Sequence, residues 1–550
     1  MALRVRSTVP FVLVLCALML ARAPRLQAGV PGAAVATENA TATRDALAIL
    51  DAGGSAADAA IVAALVAGVT APTSSGLGGG GFAMFWDEKA QKMSVLDFRE
   101  RAPRAISPAE FENRPLPPGE EGRLVGTPSE LAGLIELHRR AGKLPFSALV
   151  KKAEARARNG FVVSQHLAAM LGYGEKKLAR SPQLKSLFFP KGKAAVVGQR
   201  VVNTELAETL ARIAREGGSV MTEGPLALQM VEATQAAAGA LTLEDLAEYR
   251  VVEREPLRIR YDGKDVYTMP PPSAGGLMVA ELLMMFSPDE LRTLGFGTPA
   301  YQHLLAEGMR GAIADRMRYI GDPDIEKVDL QALMDERRLA ARKAKIALDR
   351  THALPLFGQE EHGTHHLVTS DRSGNVVSLT TTVNRLFGST LVTASGGVVL
   401  NDQLDDFTKQ ADVLPFGMKE SPNRPRPLAR PVSSMTPTIV IEGGQAVLAL
   451  GGSGGMTIPT NVSQVLLGCL VFGQTPDQAV RAPRILIPLG PDTIMVDPGT
   501  PEQHKEDLAF RGERVAEARF RSHAVQVLSR RDGVVRAASD PRKFGEALVH

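Results

Sequence analysis

Cysteine is nearly absent. The 550-residue chain has two, Cys16 and Cys469. Cys16 lies in an N-terminal segment that reads as removable, so the mature chain keeps one thiol and no intramolecular disulfide. Cys469 falls in the apolar run Val465–Phe472 and is expected in the core. Charge of one sign is lacking too. The 63 basic and 60 acidic residues are interspersed and give a formal charge of +3, so nucleic-acid binding has no electrostatic footprint. Beyond the N-terminus no apolar run approaches the roughly 20 residues of a membrane helix. Internal repeats are also missing.

The N-terminus has the layout of a secretory signal peptide. Arg4 and Arg6 precede an apolar run from Val9 to Leu20, followed by Ala21, Ala23 and Ala28. Residues 1–28 are assigned to it, which predicts a secreted or periplasmic protein. An uncleaved anchor is the competing reading, but the run is short for a bilayer. Leu15 before Cys16 lacks the small side chain that a lipid-attachment site wants. The remainder, at 44% apolar and 22% charged overall, is ordinary globular protein, long enough for several domains.

Along the chain, 41–70 reads as helix, Gly53-Gly54, helix, with Ser55 capping the second. Glycines 76 to 81 follow, then strand-like runs at Phe82–Trp86 and Met93–Phe98. From 129 to 348 the spacing is mostly helical, for example Leu206–Ile213 and Leu304–Tyr319, and is broken by Pro270 to Gly276. After 362 short β-branched runs dominate: Leu367–Ser370, Val376–Val383, Thr390–Leu400, Thr436–Ile441 and Ala446–Leu450. The helical and strand-rich parts are either two domains or two pieces of one sandwich of sheets covered by helices.

Thr364 to Asn384 is the most informative stretch. Asp371-Arg372-Ser373-Gly374-Asn375 is a turn between two strands. With Ser373 at its centre, antiparallel pairing sets Thr382 opposite Thr364, the Cβ atoms about 5 Å apart. A threonine hydroxyl is a poor nucleophile without a base, and an N-terminal threonine supplies one in its own α-amine, whose reference pKa is about 7.7–8.0. Thr364 is internal, so this chemistry requires a cut between Gly363 and Thr364. Gly363 leaves that carbonyl open to the Thr364 hydroxyl.

Further motifs line up in order: Thr364-His365-His366-Leu367, Thr380-Thr381-Thr382-Val383-Asn384, Asn401 to Phe407, Pro431 to Pro437 and Gly452-Ser453-Gly454-Gly455. Upstream stand Gly76 to Phe82, Asp97-Phe98-Arg99-Glu100, Leu243 to Tyr249, Pro270 to Gly276 and Gly321-Asp322-Pro323-Asp324. Ala538-Ser539-Asp540-Pro541-Arg542 closes the series. Together they resemble the γ-glutamyltransferase family (glutathione hydrolases) over nearly the whole mature chain. The resemblance implies an α+β N-terminal-nucleophile hydrolase fold, a four-layer αββα sandwich. One precursor would be cut into two intertwined subunits, a mostly helical 29–363 and a strand-rich 364–550. Thr364 would be the nucleophile for self-cleavage and catalysis, hydrogen-bonded by Thr382. Arg99, Ser433 and Ser434 would hold the substrate α-carboxylate. Asn384, Gln403 and Asp406 would hold its α-ammonium, and the Gly454 and Gly455 N–H groups would form the oxyanion hole. Substrates would be glutathione and other γ-glutamyl compounds, with water or an amino acid or peptide as acceptor and no metal or organic cofactor. The loop from Thr408 to Ala429, with Phe416 its one aromatic, would be a lid.

The assignment makes chemical sense. A γ-glutamyl group ends in a zwitterion, whose carboxylate suits a bidentate arginine plus hydroxyls and whose ammonium suits a carboxylate and amide oxygens. Of Asp405 and Asp406, read as neighbours on a strand, only one would face the site; the other would meet solvent or backbone. His366 is expected on the Thr364 side of the hairpin and His365 on the other. His365 departs from the small residue usual after the nucleophile, which bears on the cut.

Rival readings are weaker. Glycines 76 to 81 satisfy G-x-G-x-x-G, but a strand rather than a helix follows. Gly451 to Gly455 satisfies G-x-S-x-G with Ser453 as nucleophile and His504 or His523 downstream, but the parallel βα units that should precede it are absent. His362, His365 and His366 lack a helix and a fourth ligand for a metal. A glutaryl-type acylase of the same superfamily would have no use for the ammonium set, and a non-catalytic secreted homologue would never mature.

Overall fold

A computed structural model describes residues 32–111, 115–352, 363–487, 493–518 and 523–550. The signal segment, Cys16 and His362 lie outside the described residues. Among the described residues, no helix is long and apolar enough to cross a membrane.

Two sheets make the frame. The first has seven strands in the order Glu546–Val549, Ala34–Thr37, Thr364–Ser370, Val376–Thr382, Gly80–Asp87, Lys92–Phe98 and Val252–Arg254. The second has six: Val534–Ser539, Ala524–Arg531, Gln445–Ser453, Thr438–Glu442, Lys264–Thr268 and Leu257–Tyr261. Every pairing in them is antiparallel. Segments from both sides of residue 363 contribute strands to each sheet.

The two-residue period of a strand sorts side chains between two cores. Phe82, Met84 and Trp86 join a cluster with Ile439 and Leu450 of the second sheet. Ala83 and Phe85 join the helix-covered side with Ile61 and Leu134. The Ala56–Thr70 helix lies in that outer layer, and its alanines permit close approach to the sheet. Its start is fixed by a reciprocal cap, Asp58 N donating to Ser55 and Ser55 N to Asp58, worth about 1 kcal/mol. Helices Gly275–Met285, Pro299–Tyr319 and Ile458–Leu470 pack in the cluster of the second sheet. The layering is helices, sheet, sheet, helices. Cys469 is buried there, its thiol pushed up to about 12 by burial.

Three sequence expectations change. The helical reading of 129–348 overlooks three strands between Val252 and Thr268. Thr390–Leu400 is no strand: it closes on itself through a Val392–Val399 bridge. Asp405 and Asp406 sit on a short 3-10 helix, Gln403–Asp406, rather than on a strand. In such a turn the i, i+3 side chains eclipse, so Gln403 and Asp406 share a face.

Candidate active site

The hairpin register places Thr382 opposite Thr364. Both are buried, at the open end of the central strand pair. The Thr382 hydroxyl donates to the carbonyl oxygen of Gly363 at 3.1 Å and accepts the Asn384 amide at 2.8 Å. The expected bond between the two threonine hydroxyls is not among those of the described residues. Instead, in the continuous chain, Thr382 polarises the carbonyl between Gly363 and Thr364.

The floor of this end is held by groups that the sequence did not single out. Lys543 is buried, and its Nζ donates to Thr364 O at 3.2 Å and Ser453 Oγ at 2.6 Å while pairing with Glu38 at 3.0 Å. Glu38 also accepts the His366 amide at 3.2 Å. One buried lysine thus ties the Thr364–Ser370 strand to the second sheet. Lys543 follows the Ala538 to Arg542 motif directly, and that adjacency was the available signal.

His366 shares the Thr364 face, but its Nδ1 lies 2.8 Å from Thr380 Oγ1, so it supports the hairpin rather than touching Thr364. His365 faces the helical side with Leu367. Burial holds its imidazole down at about 4, with Lys543 adding to the effect and Glu38 opposing it. It is neutral at ordinary pH. The described residues contain no cluster of three or more His, Cys, Asp or Glu placed for a metal.

Arg99 and Asp406 meet in a buried ion pair. Arg99 Nε also donates to Pro431 O at 3.1 Å, and Gln403 Nε2 to Asp406 Oδ2 at 2.6 Å. Burial pushes the Asp406 carboxyl above its ordinary range while Arg99 pulls it back. The residues expected to hold opposite ends of a substrate thus hold each other. Asn384 anchors the same turn, donating from Nδ2 to Asp402 O at 3.0 Å. Asp405 pairs with Arg385.

Ser433 and Ser434 are buried next to the Pro270 to Gly276 turn, where Ser433 O accepts Ala274 N at 2.9 Å. Arg316, from the last turn of the Pro299–Tyr319 helix, reaches Ser434 Oγ at 2.6 Å and Ser433 O at 3.1 Å. It is a second buried arginine near the site and was missed because its partners lie more than a hundred residues away in sequence. The Thr408–Ala429 loop is tied to the Asp406 turn by Asn423, which donates to Asp406 O at 2.7 Å and accepts Val432 N at 2.8 Å.

Gly454 and Gly455 turn out of the Gln445–Ser453 strand into the Ile458–Leu470 helix, with φ of 121° and 60°. A side chain on Gly454 would press on His523, 2.7 Å from its Cβ. This is a strand–turn–helix around Ser453, but Ser453 is buried and engaged by Lys543, and its strand is antiparallel to both neighbours. The α/β-hydrolase reading fails on those grounds. Gly78, Gly79, Gly80 and Gly81 lie where the Val399, Thr382, Phe98 and Thr380 carbonyls, in that order, approach too closely for any Cβ, which explains the run without a dinucleotide.

Helix-covered stacked sheets with a threonine heading a central strand define the class: an N-terminal-nucleophile hydrolase. The gamma-glutamyltranspeptidase family model matches residues 42–550, and the chain belongs to that family. It is 34% identical over 528 residues to the glutathione hydrolase proenzyme of Escherichia coli (93% of this chain, 90% of the relative). The corresponding proenzyme of Pseudomonas aeruginosa is 35% identical over 539 residues (94% of each). Among solved structures, a cephalosporin acylase from Bacillus halodurans superposes with a TM-score of 0.82 at 27% identity, covering 94% of this chain and 96% of the other.

Proposed function

We propose that this enzyme hydrolyses or transfers γ-glutamyl groups from amides of the glutathione type through an ester on Thr364. The observation that carries the reading is the buried Arg99–Asp406 pair. Two opposite charges out of water are tolerated because each satisfies the other. A donor ending in a carboxylate and an ammonium replaces that pairing charge for charge. A glutaryl donor carries only the carboxylate and leaves Asp406 without its cation, which disfavours the acylase reading.

The uncut Thr364 nitrogen is an amide and cannot act as a base. Attack of the Thr364 hydroxyl on the Gly363 carbonyl, already held by Thr382, converts the peptide to an ester that water opens. The freed α-amine then accepts the Thr364 hydroxyl proton as Oγ1 attacks the γ-carbonyl of the donor. The Gly454 and Gly455 N–H groups stabilise the oxyanion, a contribution of about 3–4 kcal/mol per donor. The amine leaves with the proton, and water or a second amine resolves the ester. The products of the cut, 29–363 and 364–550, stay together because each contributes strands to both sheets. Export through the N-terminal segment belongs to the same reading. The test is turnover of a γ-glutamyl anilide against a glutaryl anilide. Strong preference for the former supports the proposal, and equal rates contradict it.

A further inference from the structure

A cavity of about 580 Å³ lies on the helix-covered side of the first sheet. It sits between the end of the Ala56–Thr70 helix and the helices Pro182–Phe188 and Thr204–Glu216. Leu65, Val69, Leu184, Phe188, Leu206 and Leu210 give it buried apolar walls. Thr204 and Glu205 are exposed and mark its mouth. The volume falls in the range of small-molecule sites.

The charges of the lining decide what fits. Among the described residues that line the cavity, the ionisable groups are two acids, Glu130 and Glu205, with no lysine, arginine or histidine. Glu130 is fully buried. Its Oε2 accepts Gly76 N at 3.3 Å and Ser75 Oγ at 3.4 Å. Its Oε1 has no hydrogen-bond partner among the described residues. A buried polar atom left in that state costs stability, and an occupant that satisfies it recovers the loss. A carboxylate or phosphate would find no counter-charge here, whereas a cation finds one in Glu130. The leucine walls suit an aliphatic chain and not a hydrated ion.

We infer that this cavity binds an aliphatic primary amine, its chain against the leucine walls and its ammonium on Glu130. The inference does not depend on the donor chemistry at Thr364. Burial pushes the Glu130 carboxyl up to about 8, so near neutral pH the empty cavity holds a protonated acid. An entering ammonium favours the carboxylate. The Glu130 proton then leaves to solvent, one for each amine bound. The titratable neighbour of Glu130 is Glu100, also buried and pushed up to about 8, with Arg99 opposing that rise. Asp58 and His138 sit at the other ends of the packed helices Ala56–Thr70 and Glu130–Ala141.

The test is calorimetric titration of purified full-length protein with n-hexylamine, in two buffers of different ionisation enthalpy. At about pH 6.5 the wild type should bind saturably and release about one proton per amine. Glu130→Gln keeps the side-chain volume and mimics the protonated acid. It should bind at least about tenfold more weakly and release no proton. Hexan-1-ol and hexanoate, which cannot form the ion pair, should bind more weakly than the amine. Asp406→Asn, which removes a second buried acid that could meet an ammonium, should leave the affinity unchanged. No binding, no proton release by the wild type, or equal affinity for the alcohol overturns the inference. So does an affinity lost in Asp406→Asn and kept in Glu130→Gln. The proton count on the wild type decides the matter even where a variant fails to fold.

Discussion

Thr382 donates its hydroxyl to the carbonyl oxygen of Gly363 at 3.1 Å, on the bond that joins Gly363 to Thr364. A hydroxyl placed there stabilises the charge that develops on that oxygen when Thr364 attacks. Thr382→Val keeps the shape and removes the donor. Self-cleavage should slow by about 10²–10³-fold, the usual effect of losing one such donor, and Thr382→Ser should restore most of it. The half-time of precursor conversion on a denaturing gel measures this, and a valine variant that converts at the wild-type rate would refute the role.

Asp406 is half of a buried ion pair with Arg99, so its substitutions should separate recognition from stability. Asp406→Ala leaves a buried guanidinium without its anion and should destabilise the protein by about 3–5 kcal/mol. Asp406→Asn keeps volume and polarity but gives up the ammonium's counter-charge. Its KM for a γ-glutamyl anilide should rise roughly 10- to 100-fold, with little change for a glutaryl anilide. Parallel losses on both donors would contradict the assignment.

At Gly454 a φ of 121° and the nearby His523 Cβ leave no room for a side chain. Gly454→Ala should shift the turn that presents the Gly454 and Gly455 N–H groups. We expect kcat to fall at least about tenfold with KM nearly constant, since donors aimed at the oxyanion act in the transition state. Steady-state kinetics on processed enzyme provides the check.

Glu130 is fully buried, and burial pushes its carboxyl up to about 8, opposed by bonds from Gly76 N and Ser75 Oγ. The folded protein therefore keeps a proton that the unfolded chain has released. Stability from this group is fully present below the unfolded pKa of about 4.3 and declines as pH rises towards 8, by at most about 1.4 kcal/mol per pH unit. Glu130→Gln mimics the protonated acid. In the Thr364→Ala background its unfolding temperature should match the parent near pH 4.5 and exceed it increasingly towards pH 8. A pH-independent difference would show that Glu130 is not the titrating group.

The sequence revealed what is local or repeats with a short period. The hairpin register followed from one turn, and the faces of His365 and His366 followed from strand alternation. Pairings between distant segments were not legible. Nothing near Arg99 announces that Asp406 will neutralise it, and Lys543 reaches Thr364 only because the final strand, Glu546–Val549, joins the edge of the first sheet. Short polar runs misled for a different reason. A 3-10 turn such as Gln403–Asp406 and a strand both place neighbouring residues on different faces, so Asp405 and Asp406 looked the same in either.

On the proposed mechanism, Thr364 becomes an N-terminal nucleophile by breaking its own bond to Gly363. Intact mass measurement of the purified wild-type protein and of Thr364→Ala tests it most directly. Wild type should yield two chains, one beginning at Thr364, and the variant a single uncut chain. A wild-type protein that stays whole or is cut elsewhere, or a variant cut at the same bond, would contradict the account.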